Sequence, residues 1–284
     1  MTPGLRRREG QVALSDRGER YAYAWLPPDP MRVLILVHGY AEHAGRYEEM
    51  AAHFAARGFA VHAYDQAGHG RTQGPRGHVD RFERLLDDLA AFVDRIRAEH
   101  PGLPVVLAGH SMGGLVTAAT AAFRRPNVDR IVLSGALLEL EGADSGARRL
   151  QLVGARILSR LAPRVGLRAG LDPSGLSRDP EVVRRYLEDP FVEDRMSARF
   201  ATGLFETVAR MRDAADRIEK PILIQHGEAD PICPVAGSRQ FHAGLSPAIA
   251  ERSRLSVYPA LRHEIWNEPE RQAIWQEIRD WLAA

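Results

Sequence analysis

Six short apolar runs constrain the fold more than any other feature of the chain: "RVLILV" (32–37), "FAVHAY" (59–64), "PVVLAG" (104–109), "RIVLSG" (130–135), "PILIQHG" (221–227) and "RLSVYP" (254–259). Each is apolar on consecutive residues, so a strand built from it needs cover on both faces. Helical patterns at 46–57, 80–99, 112–124 and 235–245, with a last one near 270–282, separate most of the runs. Parallel neighbours cannot be joined by a tight hairpin, and helices of this length supply the crossovers. The alternation predicts an α/β fold: a mostly parallel central sheet with helices on both faces. Upstream, "VALSDRGERYAYAWLP" reads as a hairpin turning at Asp16, Arg17 and Gly18.

One spacing breaks the rhythm. Between Gly135 and Pro221 lie about eighty residues with helical signals and no strand signal. They predict a helical cap insertion at 139–217, with 1–138 and 218–284 forming the core.

The charge balance narrows the partners. The 284 residues carry 38 Lys+Arg against 37 Asp+Glu, a net charge of +1, which gives no basis for nucleic-acid binding. The only cysteine, Cys233, has no partner for an intramolecular disulfide, which suits a reducing compartment. "MTPGLRRREGQ" lacks the apolar core of a signal peptide, and "VLILV" is far below the ~20 residues that span a bilayer. The expected location is cytoplasmic.

Chemistry concentrates in "AGHSMGG" (108–114), which follows a strand run and opens a helix. A strand turning sharply into a helix forces its corner residue into a strained conformation, and small neighbours let the two elements approach. Gly109-His110-Ser111-Met112-Gly113 therefore fits a nucleophile elbow with Ser111 at the corner. A serine hydroxyl needs a base. His242, His53 and His100 fall on helix faces and His226 ends a strand, whereas His263 in "PALRHEIWN" follows the last strand at the sheet edge where Ser111 projects. His263 is the expected base. Asp230 in "HGEADPICP", directly after strand 221–227, is the expected acid, with Glu228 as its rival. The oxyanion needs donors already in place. The backbone N–H of Met112 at the helix start and that of Tyr40 in "HGYAEHAGRY" are the expected pair.

These residues resemble the monoacylglycerol lipase and lysophospholipase branch of the α/β-hydrolases. The likeness rests on 38–79, "GHSMGG" (109–114), "HGEADPICP" (226–234) and "RHEIWNE" (262–268), with "YDQAGHGRTQGPRGHV" its most specific part away from the triad. It implies an α/β-hydrolase fold and carboxyl-ester hydrolysis without cofactor, and the expected reaction is cleavage of monoacylglycerols to fatty acid and glycerol through an acyl-enzyme. It also implies Ser111, Asp230 and His263 as the triad and Tyr40 and Met112 as oxyanion donors. A lysophospholipase, a broad carboxylesterase and, from another class, a binding module that has lost activity remain as alternatives. The elbow carries Ser where dehalogenases and epoxide hydrolases carry Asp, and no acidic cluster marks an aminopeptidase's amine site.

Asp65, Gly68, His69 and Gly70 read as a structural turn, because no H-x-H-x-D or H-E-x-x-H pattern accompanies them, and no metal is expected. Cys233 reads as a small apolar residue near the acid loop, and Trp266, Trp275 and Trp281 as core. In the cap, "MSARFATGLFETVARM" (196–211) sets Met196, Phe200, Leu204, Val208 and Met211 near one face. Either that face packs on the body, or Phe200, Leu204 and Val208 contact an acyl chain. The segment 147–168 holds six arginines and no acidic residue. Leu150, Val153, Ile157, Leu158 and Leu161 lie there at helical spacing, ending before Pro163. It is either a solvated cap helix or a contact for a lipid surface through Arg149, Arg156 and Arg160.

Overall fold

The structure, a computed structural model, describes residues 4–14, 18–140, 146–168 and 170–284, with backbone alone at 146–153 and 167. In chain order the body runs β1 (Arg6–Ala13), β2 (Glu19–Leu26), β3 (Arg32–Val37), α1 (Glu48–Ala55), β4 (Phe59–Tyr64), α2 (Glu83–Glu99), β5 (Val105–His110), α3 (Met112–Phe123) and β6 (Arg130–Ser134). There follow α4 (Gly146–Leu161), β7 (Gly166–Arg168), α5 (Pro180–Glu188), β8 (Arg195–Ser197) and α6 (Ala198–Met211). The chain then returns through β9 (Ile222–Gly227), α7 (Val235–Ala243), α8 (Pro247–Ala250), β10 (Arg254–Tyr258) and α9 (Arg271–Ala283).

Eight strands form one sheet in the order β1-β2-β4-β3-β5-β6-β9-β10. Its pairs are parallel except β1 with β2 and β2 with β4. All six apolar runs became strands within a residue or so of the expected bounds. The hairpin is also present: the Leu14 N–H donates to the Gly18 carbonyl at 3.0 Å. Asp16 and Arg17 at its tip lie outside the described residues.

Consecutive strand residues feed two separate cores, which is why the runs are apolar throughout. Val33, Ile35 and Val37 meet one core with Leu85, Leu89 and Phe92 of α2 and Leu115 and Val116 of α3. Leu34 and Leu36 meet the other, with Met50 and Phe54 of α1 and Ile274, Trp275 and Trp281 of α9. The tryptophans are core residues, as expected.

The segment between β6 and β9 differs from its reading in one respect: β7 and β8 pair antiparallel, Gly166 opposite Ser197. Three residues each are too few for a periodic signal. Helix α4 stops at Leu161, two residues before Pro163, whose ring cannot continue a helix. Among the described residues no helix is long and apolar enough to cross a membrane.

One buried ion pair ties the antiparallel edge to the helical layer. Arg20 of β2 donates from Nε (3.0 Å) and Nη2 (2.6 Å) to Asp88 Oδ2 of α2, both side chains buried. Asp88→Ala leaves a guanidinium in low dielectric without its carboxylate. The expected loss is about 3–5 kcal/mol of unfolding free energy in urea titration. A loss below about 1 kcal/mol, the worth of an exposed pair, would mean that the contact does not tie the hairpin to α2.

Candidate active site

Ser111 sits at the corner between β5 and α3 with φ 55° and ψ −121°, a left-handed conformation for a residue with a Cβ. Such a conformation costs on the order of 1–3 kcal/mol and persists only where neighbours over-determine it. Here Ser111 N–H donates to the Ser134 carbonyl (2.9 Å), while its own carbonyl accepts from Leu115 and Leu137 (both 3.1 Å). The flanking glycines leave no slack. A Cβ on Gly109 would lie 2.3 Å from the Gly113 carbonyl oxygen, and one on Gly113 would lie 2.2 Å from that of Val37. The glycines are there because strand, helix and the neighbouring strand end touch backbone to backbone.

His263 and Asp230 meet at the same edge. His263 Nδ1–H donates to Asp230 Oδ2 at 2.8 Å, while Asp230 Oδ1 accepts the backbone N–H groups of Ile232 (2.8 Å) and Cys233 (2.9 Å). His226 Nε2 lies 3.2 Å from the same Oδ2. Burial alone would push the Asp230 carboxyl up, but His263, the hydrogen bonds from His226 and His263 and the Cys233 N–H together hold it well below the usual carboxylate range. Glu228, the rival acid, instead pairs with Arg239 at 3.0 Å on the surface. Burial keeps the nearby Cys233 thiol protonated. Ser111, Cys233 and His263 line one cavity.

Tyr40 and Met112 line it too. Among the described hydrogen bonds, neither backbone N–H has an acceptor. Met112 heads α3, where N–H groups precede the helical ladder. The loop carrying Tyr40 is fixed by a residue the sequence reading did not single out. Glu42 Oε1 accepts the Gly39 N–H (2.5 Å) and the Tyr47 hydroxyl (2.8 Å). Arg46 then donates to Glu42 (2.8 Å) and, through both terminal nitrogens, to Glu264 (2.8 and 2.9 Å). One guanidinium thus joins the Tyr40 loop to the His263 loop. Burial opposes ionisation of Glu264, but Arg46 overrides it and brings that carboxyl down to about 2. Glu42 is pushed up by burial, with Arg46 acting against it. The signal was present as an i, i+4 Glu–Arg pair in "EHAGR".

Asp65 and His69 hold a turn. Asp65 accepts the backbone N–H groups of Ala44 (2.8 Å) and Arg71 (2.7 Å), and His69 packs edge-on against the Tyr40 ring at 5.6 Å. Asp230, Cys233 and His263 lie close enough together to surround a cation, but the carboxylate and imidazole already bond each other and the thiol is neutral.

The cavity encloses about 580 Å³ between the sheet edge and the segment from α4 to α6. Its apolar wall includes Leu137, Leu140, Leu158, Met196, Leu204 and Phe205. Leu204 therefore faces it. Phe200 and Val208 do not: both are buried in the core behind the wall, with Phe200 against the rings of Tyr40 (5.9 Å) and Phe82 (5.6 Å). Helix α6 has two apolar faces, and the bulkier stripe through 200, 204, 208 and 211 packs on the body. The face through Ala198, Ala201, Leu204 and Phe205 lines the space.

A family model described as serine aminopeptidase, S33, matches residues 28–270. The chain is 37% identical to a monoacylglycerol lipase of Mycolicibacterium smegmatis over 270 residues, covering 94% of each. It is 32% identical to the human monoglyceride lipase over 263 residues, 91% of this chain and 85% of the relative. The crystal structure of the Paleococcus ferrophilus monoacylglycerol lipase superposes with a TM-score of 0.83 at 32% identity, covering 93% of this chain and 98% of that one. The strained serine corner, the strand order and these end-to-end alignments agree, and the chain belongs to the monoacylglycerol lipase branch of the α/β-hydrolase family.

Proposed function

We propose that the protein hydrolyses monoacylglycerols to fatty acid and glycerol through an acyl-enzyme on Ser111. The observation that carries this reading is a largely apolar cavity of about 580 Å³ with Ser111 and His263 in its wall, in a chain whose relatives are monoacylglycerol lipases. Space of that size suits a ligand with one long chain. The amine of a peptide substrate would need a free anion. Glu42 and Glu264, the carboxylates lining the cavity, are both bonded to Arg46.

In this mechanism the Ser111 hydroxyl gives its proton to His263 Nε2 as Oγ attacks the ester carbonyl. Asp230 keeps the proton on His263 Nδ1 and stabilises the imidazolium that forms. The negative charge on the carbonyl oxygen is met by the N–H groups of Tyr40 and Met112. His263 returns its proton to the departing glycerol oxygen. It then activates a water that releases the fatty acid.

Residues 139–217 act as a cap that supplies the acyl wall, and its outer side contacts a lipid surface. Support comes from Ile157, Leu161 and Val165, which are 55, 80 and 45% exposed beside the wall residue Leu158. Large exposed apolar side chains next to arginines suit an interfacial position. Arg156 is engaged by Glu206 of α6 at 2.9 Å, which leaves Arg160 the better candidate for a lipid headgroup. The side chains of Arg149, Leu150 and Val153 lie outside the described residues.

Three measurements test this reading. Hydrolysis of monoacylglycerols should fall about a millionfold in Ser111→Ala and His263→Ala and about 10⁴-fold in Asp230→Asn, while Glu228→Gln stays near the native rate. A larger loss in Glu228→Gln than in Asp230→Asn would reverse the assignment of the acid. Leu204→Trp, which fills the wall, should shift preference toward short acyl chains with modest loss on acetyl esters, and equal loss at every length would instead place Leu204 in packing alone. Sedimentation with anionic vesicles at low salt should bind the protein, with salt and Leu161→Asp each weakening binding. No binding there would leave a cap that takes substrate from solution.

A further inference from the structure

A second group of titratable side chains lies away from the catalytic cavity, where the C-terminal end of α2 meets β4. His62 of β4 is 4% exposed, and its Nε2 lies 2.8 Å from Nε2 of His100, the residue that caps α2. A carboxylate oxygen of Glu99 falls within 4.8 Å of a ring nitrogen of each histidine. We propose that His62, His100 and Glu99 form a site for one divalent transition-metal ion of the zinc type.

Two imidazole lone pairs cannot face each other at this distance without a proton or a cation between them. In the metal-free protein one ring donates its Nε2 proton to the other. Coordination moves that proton to the ring's own Nδ1, so both Nε2 atoms become ligands and no net proton is lost. Imidazole with one carboxylate matches zinc, copper or nickel better than magnesium or calcium.

Two further features favour a cation here. The site sits at the C-terminal end of a 17-residue helix, where the unsatisfied carbonyls carry partial negative charge. His62 and Glu99 also line a cleft of about 230 Å³ under the β1–β2 hairpin, which gives an entry path and room for water to complete a tetrahedral shell. The opposing charge is Arg95, whose Nε holds Glu99 at 2.9 Å. Both side chains are about half exposed, so the metal competes with a weak surface pair.

The test is equilibrium dialysis of the whole chain with ZnCl₂, with MgCl₂ as control, alongside thermal unfolding and monoacylglycerol hydrolysis. The native protein should bind Zn²⁺ at this site at micromolar concentration, with a rise in Tm that Mg²⁺ does not give. His100→Ala should lose one bound equivalent and the Tm rise while hydrolysis without zinc stays unchanged. Glu99→Gln should bind roughly tenfold or more weakly. Zinc held at the catalytic residues would inhibit hydrolysis equally in the native protein and His100→Ala, so it is read separately. Stoichiometry and Tm response unaltered in His100→Ala, or no zinc bound by the native protein, would overturn the proposal.

Discussion

Everything at the catalytic edge depends on contact between three stretches of backbone: the end of β3, the end of β5 and the first turn of α3. Gly109 and Gly113 let them touch, and a single methyl at either position would overlap a carbonyl oxygen. The contact holds Ser111 at φ 55°. It also places Ser111 and Met112 in the wall of one cavity. The proposed nucleophile and one proposed oxyanion donor are therefore placed by the same packing, before any substrate arrives.

Electrostatics then connects what packing has placed. Arg46 carries the only charge shared between the Tyr40 loop and the His263 loop among the described ion pairs. Of its two carboxylates, Glu42 accepts the Gly39 N–H of the first loop, and Glu264 is itself the residue after His263 in the second. Asp230 is held comparably, with backbone donors on one oxygen and two imidazoles on the other. Buried charges of this kind contribute little net stability, since desolvation offsets their attraction. What they fix is geometry.

The parts legible in the sequence were those with local signals. Strand runs, crossover helices and the glycine-flanked serine each announce themselves within about ten residues, and the order Ser111, Asp230, His263 followed from where each lies relative to a strand end. The Glu42–Arg46–Glu264 link was not legible, because Glu264 is 218 residues from Arg46 and only the fold brings them together. The two readings of the α6 face could not be separated in the sequence for a related reason. Period alone selects the bulkiest stripe, which here serves the core, and the cavity takes the neighbouring face of alanines with Leu204 and Phe205. The β7–β8 pair was too short to leave a pattern, and the contact between His62 and His100 joins residues 38 apart.

The central claim is that the corner at Ser111, the Tyr40 and Met112 amides and the apolar wall of α6 together form one site for a long-chain ester. A crystal structure of the protein treated with a long-chain alkyl phosphonate tests all three at once. The account predicts phosphorus bonded to Ser111 Oγ, a phosphonyl oxygen within hydrogen-bonding distance of both backbone N–H groups, and the alkyl chain lying along Leu204 and Phe205. A phosphonate bonded to another residue, or an oxygen directed away from Tyr40 and Met112, would contradict it.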